Sequence, residues 1–259
     1  MKQDSLADFS RRPFTLNGET RDVFVAGAGP GVIVMAEIPG ITPEVARFAR
    51  WVRDAGFTVY MPQMFGDPGR PASTAYVYGV IAKLCIGREF HALKSNSASP
   101  ITQWLRALAR RAHEECGGKG VGAIGMCLTG NFAMSLMLEP AMLAPVLCQP
   151  SLPGHDPSGL HIAPDDLAKV KQRMEAEDLT VLAYRFEGDA LCPQDRFDAY
   201  EAALGDRFVP EIIKDQHANP NALRKKPHSV VTAHLIDEAG QPTRKAVDTI
   251  LDFFRRRLL

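Results

Sequence analysis

Residues 121–130 read Val-Gly-Ala-Ile-Gly-Met-Cys-Leu-Thr-Gly, a run of small and apolar residues that leads into a cysteine. The first six residues have the length and composition of a buried strand, and a helix is predicted from about Thr129 to Leu138. A tight strand-to-helix turn projects a nucleophile above a sheet, and small neighbours let that turn close. A helix N-terminus also favours the thiolate form of a cysteine. The segment therefore predicts a nucleophile at Cys127.

Leu128 follows this cysteine, and its backbone N–H is predicted to point toward a developing oxyanion. The alternative for Cys127 is a buried apolar cysteine, which is the commonest state of a free cysteine in proteins. The segment taken alone supports both interpretations, so partner residues elsewhere in the chain must decide between them.

Strand-like and helix-like segments alternate along the rest of the chain. Further strands are predicted at Arg21–Ala26, Val32–Glu37, Phe57–Met61, Pro145–Gln149, Leu179–Phe186 and Phe208–Ile213. Helices are predicted from Thr42 onward, at Pro100–Glu115, Asp165–Ala176, Pro193–Leu204 and Ala246–Leu258. This alternation predicts an α/β fold with a mostly parallel central sheet and helices on both of its faces.

Two regions of this pattern depart from simple alternation. The first two strands are separated by Gly27-Ala28-Gly29-Pro30-Gly31, which predicts a hairpin and an antiparallel edge. Residues 62–100 contain several prolines and glycines, which predict a long loop with a short helix near Tyr78–Phe90.

Length and charge limit the classes of function. A chain of 259 residues without a Pro/Ser-rich linker predicts a single domain over residues 1–259. The 30 basic residues equal the 30 acidic ones, which argues against a nucleic-acid partner. No stretch is long and apolar enough to span a membrane, and the N-terminus lacks the apolar core of a signal peptide. We therefore expect neither a nucleic-acid nor a membrane partner.

Cysteine and histidine spacing bears on the compartment and on cofactors. The five cysteines are widely spaced without a CxxC pair, which favours free thiols and a cytoplasmic location. No metal is predicted, because the histidines outside the candidate site show no metal-type spacing with each other or with a cysteine. The glycines at 27–31 lack the GxGxxG pattern and precede a strand, so no dinucleotide or other cofactor is expected.

The acid of a catalytic triad is predicted at Asp189. An α/β enzyme with a nucleophile at such a turn orders its triad as nucleophile, acid and then histidine. Asp189 turns out of the apolar strand that ends at Phe186, as the acid should. Asp195 is the rival, but it falls inside the helix predicted from Pro193, where a solvated helix face is the simpler interpretation.

The base is predicted at His228, which lies between the last predicted strand and the closing helix. His217 and His234 are rivals in the same region. His217 lies among polar loop residues, whereas His234 follows an apolar stretch where a structural histidine is the simpler interpretation. The spacing leaves room for intervening strand and helix units between each pair of triad residues.

Four segments together resemble the dienelactone hydrolase family over nearly the whole chain, from about residue 20 to the C-terminus. They are Glu37-Ile38-Pro39-Gly40, Gly125-Met126-Cys127-Leu128-Thr129-Gly130, Gly188-Asp189-Ala190-Leu191-Cys192-Pro193 and Pro227-His228-Ser229. The order and spacing of these segments carry the resemblance, since none is specific by itself.

The resemblance implies an α/β-hydrolase fold with a Cys–His–Asp triad at Cys127, His228 and Asp189. It maps the family's strand-end glutamate to Glu37, a carboxylate that interacts with the resting cysteine in relatives and helps to activate it. Ile38 would supply a second oxyanion N–H besides that of Leu128. The alternative for Glu37 is a carboxylate paired with a nearby arginine. Its place at the end of an apolar strand favours a special role, because an unpaired buried charge is costly.

The sequence departs from the family pattern at two positions, and the second bears on the substrate. Thr129 stands where members usually carry the second glycine of Gly-x-Cys-x-Gly. Members that cleave dienelactones hold the substrate carboxylate with arginines, one of them four residues after the histidine, and that position is Thr232 here. Arg88 is a candidate for another such arginine. The absence of the arginine at position 232 favours an ester or a lactone over a dienelactone as the substrate.

The sequence thus predicts a cysteine-dependent hydrolase of small esters or lactones that works through an acyl-enzyme on Cys127. The alternative from another class is a catalytically silent α/β-hydrolase-fold protein that binds a small molecule or a protein. A third interpretation is an enzyme that attacks thioesters, or C–halogen or C–C bonds, on the same scaffold. The oligomeric state is left open by the sequence.

Overall fold

An eight-stranded sheet forms the centre of the computed structural model, which describes residues 2–86 and 100–259. In chain order the strands are β1 (Ser10–Leu16), β2 (Glu19–Gly27), β3 (Gly31–Met35), β4 (Thr58–Pro62), β5 (Val121–Met126), β6 (Met142–Cys148), β7 (Val181–Phe186) and β8 (Phe208–Ile213). Across the sheet they lie in the order β1-β2-β4-β3-β5-β6-β7-β8. All neighbours from β4 to β8 are parallel, which confirms the predicted mostly parallel sheet.

Helices cover both faces of this sheet, as predicted. In chain order they are α1 (Pro43–Asp54), α2 (Thr74–Ile86), α3 (Pro100–Cys116), α4 (Phe132–Ser135), α5 (Pro164–Ala176), α6 (Gln194–Leu204) and α7 (Pro242–Leu258). Helices α1 and α7 pack into one apolar cluster, and α2 to α6 contribute to the other. Strand side chains alternate between the two clusters, so that Val32 and Val34 face α1 and α7 while Ile33 and Met35 face the opposite side.

Helix α1 begins where the sequence predicts it. The Thr42 hydroxyl accepts a hydrogen bond from the Val45 N–H, and Pro43 occupies the first turn, where its missing N–H costs nothing. The buried residues Val45, Phe48, Ala49 and Val52 recur at helical spacing. Local sequence signals therefore place this helix without help from the rest of the fold.

The predicted hairpin between the strands now labelled β2 and β3 is wrong, because β4 lies between them and pairs with both. Gly27 and Gly29 have φ values of 108° and 103°, which only glycine adopts readily. A Cβ at either glycine would overlap a carbonyl oxygen of the segment that leads into β4, namely that of Phe57 or Gly56. The glycine run is therefore a close crossing of backbone segments and not a hairpin turn.

The antiparallel edge itself is present, but its hairpin joins β1 to β2. Asn17 and Gly18 form a two-residue loop with φ values of 50° and 83°, between the paired residues Leu16 and Glu19. Asn-Gly is the usual dipeptide for a turn that needs two positive φ values. Strand β1 was missed in the sequence because residues 10–16 do not alternate cleanly between apolar and polar types.

The region predicted as a long loop with a short helix begins with an irregular segment that contains turns and continues into α2. The helix predicted near Tyr78–Phe90 overlaps α2, which starts four residues earlier, at Thr74. Arg88 lies outside the described residues. Within the described ranges, no helix combines the length and the apolarity that a membrane crossing requires.

Gly29→Ala is expected to lower the free energy of unfolding by about 3 kcal/mol. The added Cβ would overlap the Gly56 carbonyl oxygen, and overpacking typically costs about 1–3 kcal/mol. The positive φ adds about 1–2 kcal/mol. Urea unfolding followed by circular dichroism measures the change.

Gly117→Ala is the matched control, because Gly117 has a φ of 65° but no atom within 4 Å of an added Cβ. It carries the φ penalty without the overlap, so we expect a loss of only about 1–2 kcal/mol. Equal losses in the two variants would contradict the close crossing at Gly29.

Candidate active site

The turn after β5 holds Cys127 in a conformation that side chains rarely adopt. Its φ is 55°, and the residue is only partly buried. A Cβ on Gly125 would overlap the Thr129 carbonyl oxygen, and one on Gly130 would lie 2.7 Å from the Pro150 Cα. Both glycines are therefore required for this turn to close. A non-glycine residue in left-handed backbone costs about 1–3 kcal/mol and is characteristic of functional sites.

The continuous helix predicted from Thr129 to Leu138 is wrong. Its place is taken by a 3₁₀ turn at Cys127–Thr129, the single-turn helix α4 and a second 3₁₀ turn at Leu136–Leu138. The Cys127 carbonyl accepts hydrogen bonds from Gly130 and from Ser151, a residue of the loop after β6. The Ser151 N–H therefore occupies the Cys127 carbonyl oxygen, which in a regular helix would accept from the N–H four residues later. So short a helix contributes little dipole, and the predicted stabilisation of a thiolate by the helix loses most of its basis.

Thr129 fits the position where family members usually carry glycine. Its buried hydroxyl accepts a hydrogen bond from the Met126 N–H at 2.9 Å and lies 3.0 Å from the Met35 carbonyl oxygen. The side chain therefore points into the protein and links the turn to the end of β3. The turn accommodates the threonine because its hydroxyl has buried backbone partners on both sides.

His228 and Asp189 meet as the sequence predicted. The Nδ1–H of His228 donates to Oδ2 of Asp189 at 2.6 Å, and both side chains are buried. The second carboxylate oxygen of Asp189 accepts from the Leu191 N–H at 3.0 Å. Burial lowers the pKa of His228, but the neighbouring Cys127 and Asp189 outweigh it and raise the pKa to about 10.

The His228 ring also lies close to Cys127, the nucleophile candidate. Among the residues that the structure describes, Nε2 has no well-aligned hydrogen-bond partner. The Cys127 sulfur is nevertheless close enough to raise the pKa of the imidazole through its charge and through hydrogen bonding. The structure thus brings Cys127, His228 and Asp189 close to one another.

The rival residues lie elsewhere or have other partners. Asp195 is exposed in the first turn of α6. His217 is half-buried in a 3₁₀ turn, 3.5 Å from the amide of Gln216. His234 is buried, accepts at Nδ1 from the backbone N–H of Ser229 and pairs through Nε2 with the Arg224 carbonyl. It therefore braces the segment that carries His228, and burial lowers its pKa.

Glu37 lies two residues after the end of β3 and is buried at 6% exposure. Its Oε2 accepts from the Ser229 hydroxyl at 2.6 Å, and its Oε1 accepts from the Thr232 hydroxyl. Gln149 donates to Oε2 from its side-chain amide at 3.4 Å. In the described part of the chain, these polar side chains are its hydrogen-bond partners. Neither an arginine nor the Cys127 sulfur is among them.

Two residues that support this site were missed in the sequence. Gln149 follows β6 directly, has a φ of 36° and is fully buried. Arg185 is buried in β7 and donates to the carbonyls of Glu187 and Cys192 at 2.8 Å, so it shapes the turn that carries Asp189. The position of Gln149 immediately after a central strand was the available signal. Arg185 gave none, because a buried arginine in a strand is recognised only from its partners.

The two predicted oxyanion residues, Ile38 and Leu128, lie at the same edge of the sheet. Ile38 follows Glu37, Leu128 follows Cys127, and both are half-buried. Arg88, proposed as a substrate-binding residue, falls outside the described ranges. Across residues 2–86 and 100–259, no group of three or more His, Cys, Asp or Glu side chains is arranged to hold a metal ion.

The loop between β6 and α5 packs beside the turn at Cys127. Arg196 is buried and donates to the carbonyls of Pro153, Asp156 and Gly159, which fixes the loop from within. His161 lies in the same loop, 6.0 Å from the Phe132 ring centre to centre. Burial, with a smaller contribution from Arg196, lowers the pKa of His161 to about 4.

Known proteins are similar to this chain in sequence and in architecture. The sequence model of the dienelactone hydrolase family matches residues 22–148. A Saccharomyces cerevisiae protein named "Putative carboxymethylenebutenolidase" is 26% identical over 194 residues, which cover 73% of this chain and 69% of the relative.

Two solved structures from metagenomic libraries have a similar fold. The dienelactone hydrolase-like promiscuous phosphotriesterase P91 has a TM-score of 0.62 at 18% identity, over 95% of this chain and 97% of that one. A cold-adapted esterase from an Arctic intertidal library has a TM-score of 0.61 at 14% identity, over 100% of both chains.

The sheet order and these structural neighbours show that the chain has the α/β-hydrolase fold. Within this fold class, the match over residues 22–148 confirms the predicted resemblance to the dienelactone hydrolase family, and the chain is a dienelactone hydrolase-like hydrolase. The enzyme class that these findings support is a hydrolase acting on ester bonds.

Acidification is expected to destabilise the protein through His161. Its pKa lies near 4 in the folded state and near 6.5 when unfolded, so the unfolded chain binds the additional proton between these pH values. The free energy of unfolding should therefore fall as the pH drops from about 6.5 to about 4, by about 3 kcal/mol in full. Urea unfolding at pH 7.5, 5.5 and 4.5 measures the loss.

His161→Phe should remove most of this contribution, because the variant has no proton to bind at that position. His234 contributes to the same slope with the same sign and stays in both proteins. An equally steep pH dependence in wild type and His161→Phe would contradict the assignment.

Proposed function

We propose that this chain hydrolyses small esters or lactones through an acyl-enzyme on Cys127, with His228 and Asp189 completing a catalytic triad. The observation that carries the proposal is the 2.6 Å hydrogen bond between His228 and Asp189, together with the closeness of Cys127 to the same imidazole ring. That arrangement is the one a general base needs, since the carboxylate selects the tautomer and the remaining nitrogen exchanges the proton.

In the acylation step, the Cys127 thiolate attacks the ester carbonyl carbon and the carbonyl electron pair moves to oxygen. The N–H groups of Ile38 and Leu128 stabilise the resulting oxyanion, and one such donor is typically worth about 3 kcal/mol of barrier. When the carbonyl re-forms, the C–O bond to the leaving group breaks. The raised pKa of His228 keeps its proton available beside the thiolate, and the imidazolium transfers that proton to the departing oxygen.

In the deacylation step, neutral His228 accepts a proton from water as the water oxygen attacks the thioester carbon. Collapse of the second tetrahedral intermediate breaks the C–S bond, releases the acid and regenerates the thiolate beside the imidazolium. Asp189 stabilises the imidazolium in both steps without taking its proton.

The substrate we propose is a small ester or lactone without a required carboxylate. The yeast relative's name refers to carboxymethylenebutenolide, a lactone that carries a carboxylate. In this chain Thr232 stands four residues after His228, and its hydroxyl is bound to Glu37. A threonine so engaged offers no positive charge to a substrate carboxylate, so neutral esters and lactones should be cleaved in preference to dienelactones.

Location and domain organisation complete the proposal. Cys116, Cys127, Cys148 and Cys192 are free thiols. Free thiols are typical of a reducing compartment, which supports a cytoplasmic enzyme. We also propose that residues 1–259 act as a single domain, with a small molecule and neither nucleic acid nor membrane as the partner.

Cys127→Ala and His228→Ala should each abolish nearly all hydrolysis of an activated ester, and their double mutant should be little worse than either. When residues act as a unit, the removal of one costs nearly as much as the removal of all. In related chemistry this loss is about a millionfold in kcat. Steady-state kinetics on 4-nitrophenyl acetate, phenyl acetate, a simple lactone and a dienelactone would measure these losses and the substrate preference.

Asp189→Asn should retain the fold and still lose about ten-thousandfold in kcat, since an amide holds the wrong tautomer. Wild-type protein that cleaves none of these substrates, or turnover that survives Cys127→Ala, would refute the proposed triad. Fully additive losses in the double mutant would also count against a single catalytic unit.

Iodoacetamide at neutral pH should label Cys127 before the other cysteines. Cys127 is partly exposed beside His228, whereas Cys148 and Cys192 are fully buried and burial raises the pKa of both thiols. Peptide mass spectrometry at increasing reaction times gives the order of labelling. The Cys127→Ala variant is the control, and it should lose the fast phase alone.

A further inference from the structure

The histidine loop, defined as residues 227–234, is hydrogen-bonded to the carboxylate of Glu37, which follows strand β3. Glu37 extends from the end of β3, and its two oxygens accept hydrogen bonds from two hydroxyls of this loop, those of Ser229 and Thr232. Both oxygens are thus engaged by the segment that begins with His228. Both carboxylate oxygens of Glu37 therefore face this loop.

A second polar side chain extends the same attachment. Gln149 donates from Nε2 to the Glu37 carboxylate, and its Oε1 accepts from the backbone N–H of Val230, both at 3.4 Å. Gln149 is held at a φ of 36° with 0% exposure. The loop is therefore attached through a side chain, a backbone N–H and a second side chain at three nearby positions, 229, 230 and 232.

Burial makes these attachments strong determinants of position. Glu37 is 6% exposed, Ser229 is 8% exposed and Thr232 is 1% exposed, so none of them can exchange its partner for water at low cost. Removal of one hydroxyl leaves a buried carboxylate oxygen without its donor. The histidine loop is then expected to shift so that this oxygen regains a partner. His228 would shift with it, because Ser229 is the next residue.

The imidazole is thereby held from two directions. Asp189 fixes the ring at Nδ1 from the end of β7, while Glu37 fixes the backbone on the other side of His228 from the end of β3. Proton transfer between Nε2 and Cys127 depends on their separation, and a displacement of about 1 Å can cost roughly a hundredfold in rate. The separation between Nε2 of His228 and the Cys127 sulfur therefore depends on both carboxylates, those of Asp189 and Glu37.

We propose that Glu37 is a positioning residue that sets the distance between His228 and Cys127 through its hydrogen bonds to Thr232 and Ser229. It does not act on the sulfur itself. This inference rests on the proposed triad. It assigns Thr232 a function in this chain, that of donating a buried hydrogen bond to the carboxylate. It also separates this site from one in which the strand-end glutamate contacts the resting cysteine.

Thr232→Val tests the attachment, because valine keeps the shape of threonine without the hydroxyl. We expect kcat on an activated ester to fall about tenfold or more, with KM changed by less than about threefold, since the loss falls on proton transfer and not on substrate binding. Thr232→Ser restores a hydroxyl and should recover most of the lost kcat.

Thr243→Val is the matched control for the loss of a buried threonine hydroxyl. Thr243 is 0% exposed and accepts from the Ile236 N–H at the start of α7, away from Glu37. It should lower the melting temperature without a comparable loss of kcat per labelled Cys127. Equal losses of kcat in Thr232→Val and Thr243→Val would overturn the proposal, because general destabilisation would then explain both.

The role of Glu37 is separated from direct action on the sulfur by alkylation in a His228→Ala background. Without the imidazole there is nothing left to position, so adding Glu37→Gln should leave the pH dependence of iodoacetamide labelling at Cys127 unchanged. A shift of its midpoint by about one pH unit or more would show that Glu37 acts on the sulfur, and would overturn the proposal.

Failure of the anchor and failure of the proposed hydrolase activity are distinguishable. Turnover that depends on Cys127 but is unaffected by Thr232→Val refutes the positioning role and leaves the triad standing. Absence of any turnover that depends on Cys127 in the wild type refutes the triad, and with it the positioning role.

Discussion

The turn that follows β5 is the constraint on which the site depends. Cys127 holds a φ of 55°, and the turn closes only because Gly125 and Gly130 leave room for backbone atoms where a side chain would stand. The Thr129 hydroxyl ties this turn to the end of β3, and the Ser151 N–H ties it to the loop after β6. Strain at one residue is therefore supported by contacts from two neighbouring parts of the sheet.

The order of strands converts this turn into a site. Strands β3, β5, β6 and β7 are adjacent and parallel, so their carboxyl ends meet at one edge. Glu37, Cys127, Gln149 and Asp189 follow these strands in the same order. His228 enters from a loop beyond the last strand and is braced by the buried carboxylates of Asp189 and Glu37. A rigid sheet thus sets the distances among side chains that lie far apart in the chain.

Sequence patterns predicted the parts of this arrangement that are local. Helix α1, with its Thr42 cap, and the turn at Cys127 carry signals within a few residues, so they were found. The β2–β3 hairpin was wrong, because strand pairing depends on which segment inserts between two others, and nothing near Gly27–Gly31 indicates β4. The helix after Cys127 was wrong because Ser151, distant in the chain, takes the carbonyl that a regular helix would use.

The amino-acid sequence by itself determined the alternation of strands and helices, the strand-to-helix turn at Cys127 and the order of residues that meet at the site. These follow from side-chain periodicity and from glycine positions, which act over a few residues. Only the tertiary structure decided that Glu37 is bound to Ser229, Thr232 and Gln149, and that Arg185 shapes the turn before Asp189. Hydrogen bonds of buried polar groups are chosen by distance in space, and spacing along the chain does not contain that distance.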